Sequence, residues 1–152
     1  MTTYTPEEYS KKLLEVSKKI EKDLEESVEK DALELMADTI RTRTRKGFGV
    51  SENNAPKEKL KPLSENYKKQ RKRDKKLSSE TSPSKSNLTR HNNLLKSITS
   101  DKEKVFIKGE EQQRIAEYVS VDRPFMNLSR PEVKRIIKFL TEEINKLWNK
   151  YL

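Results

Sequence analysis

Apolar residues at both ends of this chain recur every three or four positions, and each run is opened by the same start signal. That pairing commits the fold to two long amphipathic helices. At the N-terminal end, Thr5-Pro6-Glu7-Glu8 supplies a capping threonine, a proline at the first helical position and a glutamate three residues after the cap. Tyr4 and Tyr9 flank the cap at the spacing of a hydrophobic staple. Tyr9, Leu13, Val16, Ile20, Leu24, Val28, Ala32, Leu35 or Met36, and Ile40 then follow in the helical period. The predicted helix covers residues 6–43 and, at 1.5 Å per residue, spans about 55–60 Å, more than a small domain needs to cover its core. Part of it should project, either as a face that meets a neighbouring subunit or as a coiled-coil seam, although the spacing is not a strict heptad. Arg41, Arg43, Arg45 and Lys46 lie at or beyond its end, where cations complement the helix dipole, and Gly47 and Gly49 stop it.

At the other end, Ser129 and Glu132 have capping-box spacing, Pro131 stands in the first turn, and Leu128 and Val133 are placed to staple the start. Val133, Ile136, Ile137, Leu140, Ile144, Leu147, Trp148 and Tyr151 carry the helical period to the chain's last residues. Ahead of the cap, Pro124 keeps Arg123 out of the helical region, so the approach is extended and Phe125 and Leu128 plug the joint between helix and body. Arg123, too costly to bury unpaired, should find a carboxylate or helix-end carbonyls in this subunit or the next. Taken alone, such a joint can be no more than a local folding signal.

Between the helices, Gly47 to Pro62 is rich in turn formers. From Lys57 to Ser86 there are eleven Lys and Arg against four Asp and Glu, an excess of seven out of the chain's net +9. Its densest part holds Lys68, Lys69, Arg71, Lys72, Arg73, Lys75 and Lys76, whose like charges repel at helical spacing, and the serine-rich 78–86 stretch follows. Residues 50–87 therefore read as a mobile basic arm: a contact for DNA, a contact for an acidic partner ring, or simply a solvated loop. Residues 88–152 hold the rest of the fold. A short helical turn leads into a strand at 95–99, a return strand covers 104–108, and a short helix carries Ile115, Ala116, Tyr118 and Val119 under the joint. Asn92 or Asn93 can take the left-handed conformation at the turn before Leu94. The whole is a single α+β domain, residues 1–152, with the two helices packed on a small antiparallel sheet.

Composition narrows the function. Only 31% of residues are hydrophobic and 39% are charged, so the core is small for the surface and isolation need not be the working state. A net +9 favours anionic partners. Without cysteine there is no disulfide framework, thiolate metal site or cysteine nucleophile, and no run reaches the roughly 18 apolar residues of a membrane span. The single histidine, His91, reads as an ordinary surface residue. Walker, nucleophile-elbow and zinc-protease motifs are missing, so no catalytic residue, metal or cofactor is expected and the chain reads as a non-enzyme.

The wording of the joint says more than its spacing. Arg123-Pro124-Phe125-Met126-Asn127-Leu128-Ser129, followed by an amphipathic C-terminal helix, resembles the run that closes the virion morphogenesis family, the tail-completion or head-tail joining proteins of tailed bacteriophages. There the run is Arg-Pro-Phe-Leu-Gly-Leu-Ser-like; here Met126 and Asn127 replace the Leu-Gly pair. Leu60-Lys61-Pro62-Leu63-Ser64 and the Leu88 to Ile98 run are similar to further family segments, with Leu60 where the family commonly has tryptophan. The resemblance implies a structural subunit assembled in the host cytoplasm into a homo-oligomeric ring. Within the virion neck that ring would lie between portal, adaptor or stopper proteins and the tail tube, with possible contact to packaged DNA and none to a membrane. A basic nucleic-acid-binding accessory protein is the alternative that the charge alone allows.

Overall fold

The computed structural model describes residues 4–79, 81–88 and 92–152, so His91 lies outside the described residues. Both helix starts follow the sequence logic. The Thr5 hydroxyl accepts the Glu8 N–H at 3.3 Å and the Glu8 carboxylate accepts the Thr5 N–H at 2.9 Å, opening helix α1 (Pro6–Asp23). Helix α6 (Arg130–Tyr151) starts in the same arrangement, with the Glu132 carboxylate accepting the Ser129 N–H at 2.8 Å.

The expected single N-terminal helix is continuous but not uniform. A π turn (Leu24–Val28) links α1 to α2 (Glu29–Arg45). The inward positions explain it. Ile20, Leu24, Val28 and Ala32 step by four, with Leu24 half-buried and the others buried. Each step of four overshoots a 3.6-residue turn by about 40°, so three steps drift about 120°, close to the ~100° that one residue occupies. One wide turn absorbs the excess and keeps the stripe on the core.

Helix α6 runs back along this long helix. Glu132 meets Arg43, Arg135 meets Thr39, and Lys150 and Tyr151 meet Asp23 near the end of α1. Ahead of Val16 no described residue of α1 is buried, and Tyr9, Leu13 and Leu14 are exposed, so the first turns of the helix project from the body.

Among the described residues the middle of the chain forms two small antiparallel sheets rather than the one expected. Strands β1 (Phe48–Gly49) and β2 (Glu58–Lys59) pair Phe48 with Lys59. Helix α3 (Glu65–Lys72) follows, capped by the Ser64 hydroxyl accepting the Tyr67 N–H. A four-residue helix α4 (Asn93–Lys96) leads into the hairpin of β3 (Ile98–Ser100) and β4 (Val105–Ile107), registered Ile98 to Ile107. Asn92 takes the left-handed conformation, φ 59°, foreseen for this turn. The hairpin loop is drawn closed by Asp101, whose carboxylate accepts the N–H groups of Glu103 and Lys104. Helix α5 (Glu110–Ser120) completes the set.

The core lies where α2, the hairpin and α5 converge. Ala37 and Ile40 of α2, Leu95, Ile98, Ile107, Ala116 and Phe125 are buried together there. Helix α5 turns Ala116 inward, while Ile115 and Tyr118, expected beneath the joint, face outward. Periodicity alone could not choose between two adjacent faces of so short a helix.

Candidate functional site

The joint is built on a buried arginine. Arg43 leaves α2 three residues after Ile40, on the same inward stripe, and its guanidinium donates to the carbonyls of Phe125 and Asn127 and to the Glu132 carboxylate, the last two at 2.8 and 2.7 Å. The side chain is 5% exposed. The carboxylate that caps α6 is thus the counter-ion of the arginine that closes α2. A charge buried this deeply is tolerable only because several acceptors surround it. Among Arg41, Arg43 and Arg45, phase with Ile40 was the signal that set Arg43 apart.

The 124–128 run is laced to the 49–54 loop. Val50 N–H donates to the Pro124 carbonyl at 3.1 Å, Asn54 N–H to the Leu128 carbonyl at 2.9 Å, and the Asn127 amide to the Val50 and Ser51 carbonyls at 3.0 and 3.1 Å. Gly49 makes this approach possible, because a β-carbon there would stand 2.2 Å from the Pro124 carbonyl oxygen. Phe125 is fully buried, Ser129 buried and Leu128 half-buried against the core. Arg123 takes neither a carboxylate nor a helix end. Its Nε and Nη2 donate to the loop carbonyls of Lys61 and Pro62 at 3.0 and 3.1 Å, which fastens the 60s segment to the joint.

Residues 50–87, expected to be a mobile arm, contain β2, α3 and a run wrapped around one side chain. That side chain is Arg71. It is 2% exposed, and its guanidinium donates to the carbonyls of Lys85 and Ser82, both at 3.1 Å, and to the Thr81 hydroxyl at 3.0 Å. Arg71 is therefore an internal tie and not a contact for a partner or DNA. Leu63, Tyr67 and Arg71 step by four, and only that phase distinguishes Arg71 from the neighbouring cations. Asn87, fully buried, extends the tie by donating to the Arg45 carbonyl at 3.0 Å at the end of α2. Repulsion among the lysines is relieved by exposure: Lys69, Lys72, Arg73, Lys75 and Lys76 are exposed. Lys68 pairs with Glu65 at 2.8 Å and holds that carboxyl below its ordinary range.

Among the described residues no group of three or more His, Asp or Glu could hold a metal ion, and no helix is long and apolar enough to cross a membrane. No family model, no curated protein and no solved structure matches the chain.

Proposed function

We propose that this chain is a structural subunit of the head-tail junction of a tailed bacteriophage, assembling as a ring between the portal-side connector and the tail. The observation that carries the proposal is the Arg123 to Glu132 stretch. Its wording resembles the closing run of the virion morphogenesis family, and its side chains tie together α2, the 49–54 loop, the 60s segment and α6. A joint shared by so many segments sets the angles between them, which a ring subunit must repeat faithfully from copy to copy.

Surface chemistry supports the same reading. Tyr118 and Val121 on and just after α5 are 85% and 83% exposed, and Ile137, Ile144 and Trp148 of α6 are exposed along a helix whose other face is used. Large apolar side chains left in water on several elements suit a protein that works with neighbours against it. The projecting turns of α1 add a further arm for such contacts.

Mass spectrometry of purified phage particles and imaging of the native assembly test this reading. A symmetric ring that copurifies with neck or tail proteins is the expected result. Absence from purified virions overturns it.

A further inference from the structure

Between α2, the start of α6 and the 50s loop lies an open recess of about 980 Å³. Five cations line it, Arg43, Lys46, Lys57, Arg130 and Arg135, with two carboxylates, Asp38 and Glu132. Both carboxylates are already engaged from within the fold, Asp38 by Arg41 at 2.9 Å and Glu132 by Arg43 at 2.7 Å. The other four cations are exposed and make no ion pair among the described residues.

Unpaired like charges around one concavity repel each other, and the field they focus into it is relieved by an anion. Two of the four are held in place by neighbours. Arg135 Nη2 donates to the Thr39 hydroxyl at 3.1 Å, and the Lys57 ammonium sits 5.0 Å from the centre of the Phe48 ring. At the buried end, Arg43 Nε has no hydrogen-bond partner among the described residues.

We infer that this recess binds the phosphate backbone of a nucleic-acid strand. Arginine forks two phosphate oxygens while lysine acts as a point charge, and both kinds stand at the same mouth. The volume is far beyond one inorganic anion and lies at the upper end of the ~300–1,000 Å³ of small-molecule pockets, room enough for a segment of a larger polyanion. The chain's net +9 acts in the same direction on a uniform polyanion. The site rests on this geometry and holds whether or not the chain is a virion subunit.

Fluorescence anisotropy on the whole chain tests it, with a labelled single-stranded oligonucleotide and its duplex over a series of salt concentrations. The variant Lys46→Gln/Lys57→Gln/Arg130→Gln should bind at least about tenfold more weakly, and its log–log salt slope should shrink by about 2–3, the loss expected for three phosphate contacts. A control variant, Lys69→Gln/Lys72→Gln/Lys76→Gln, removes the same charge from the other basic surface and should bind nearly as the wild type does. Should the recess variant melt early, Arg130→Glu alone replaces it, since that exposed side chain makes no described bond, and it should still weaken binding. Equal losses in the two triple variants would mean diffuse charge and overturn the site. So would absence of binding by the wild type at low salt, displacement by an acidic peptide as readily as by an oligonucleotide, or ATP or pyrophosphate binding as tightly as a strand.

Discussion

The carboxylate of Glu132 serves two structures with one oxygen, accepting the Ser129 N–H at 2.8 Å and the Arg43 guanidinium at 2.7 Å. The start of α6 and the end of α2 are therefore one unit. Removing one partner of a buried ion pair typically costs about 3–5 kcal/mol, because the other is left charged and unpaired. Arg43→Met and Glu132→Gln should each lower stability markedly in urea unfolding. The double variant should lose less than the sum, with a coupling of about 0.5–3 kcal/mol. Strictly additive losses would show that the two residues do not act together.

Phe125 and Ser129 stand four residues apart with unequal burdens. Phe125 fills the core, and truncating a buried phenylalanine costs about 3–5 kcal/mol, whereas losing a capping hydroxyl costs about 0.5–2 kcal/mol. Phe125→Ala should largely abolish soluble protein. Ser129→Ala should remain folded with a lower melting temperature in circular dichroism, because Glu132 still holds the Ser129 N–H. A Phe125→Ala variant that melts like the wild type would contradict the placement of this ring.

Arg71 separates tie from surface within one short helix. Arg71→Gln removes the guanidinium's bonds to the Ser82 and Lys85 carbonyls and to the Thr81 hydroxyl, each of which contributes a net of about 0.5–1.5 kcal/mol. Limited proteolysis should then cut the 73–88 run faster than in the wild type. Replacing Lys69, Lys72 and Arg73 by glutamine should leave both cleavage rate and melting temperature nearly unchanged. Equal sensitivity of the two variants would argue that Arg71 is no more structural than its neighbours.

Acid should loosen the clasp between α1 and α6. The Asp23 carboxylate accepts the Tyr151 hydroxyl at 2.7 Å and the Lys150 ammonium at 3.1 Å, and these hold its pKa below the ordinary 3.8. A carboxylate depressed on folding contributes stability that is fully present above its unfolded pKa and is lost as pH falls through the folded value. Thermal melting between neutral pH and pH values below the ordinary carboxylate range should therefore show a decline that is shallower in Asp23→Asn. Because the clasp is exposed, the effect should be small and weaken with salt. Identical profiles for the two proteins would remove Asp23 from the account.

Local chemistry was the legible part of this fold. Two caps, the glycine stop at Gly47, the left-handed turn before Leu94 and the hairpin each follow from a few adjacent residues, and the structure places them within a residue or three of the expectation, while Gly49 lies in β1. What composition concealed was which member of a basic run turns inward. Arg43 and Arg71 resemble their neighbours in type and differ only in helical phase, and the acceptors that make burial tolerable are carbonyls some 82 to 84 and 11 to 14 residues away. Backbone acceptors have no signature in side-chain sequence. For the same reason the end of the 50–87 stretch read as part of an arm: its described residues 81–87 are held by polar ties, from the Arg71 guanidinium to Ser82 and Lys85 and from Asn87 to Arg45, that apolar content does not signal.

The π turn in the N-terminal helix makes residue count a steering control. Each residue subtends about 100° of helix and the wide turn already takes up one in excess, so deleting one between 24 and 28 would close it to an ordinary turn with α1 in place, whereas adding a second would swing the whole of α1 around its axis by that angle while α2 stayed seated. Val16 and Ile20 would leave their seat, and Tyr9 and Leu13 would point to a different quarter of space. Shortening the helix at its projecting tip instead would change its reach and leave its aim alone. Reach and aim are thus set by different segments of one continuous helix, and a lineage could lengthen or trim the first without disturbing the second.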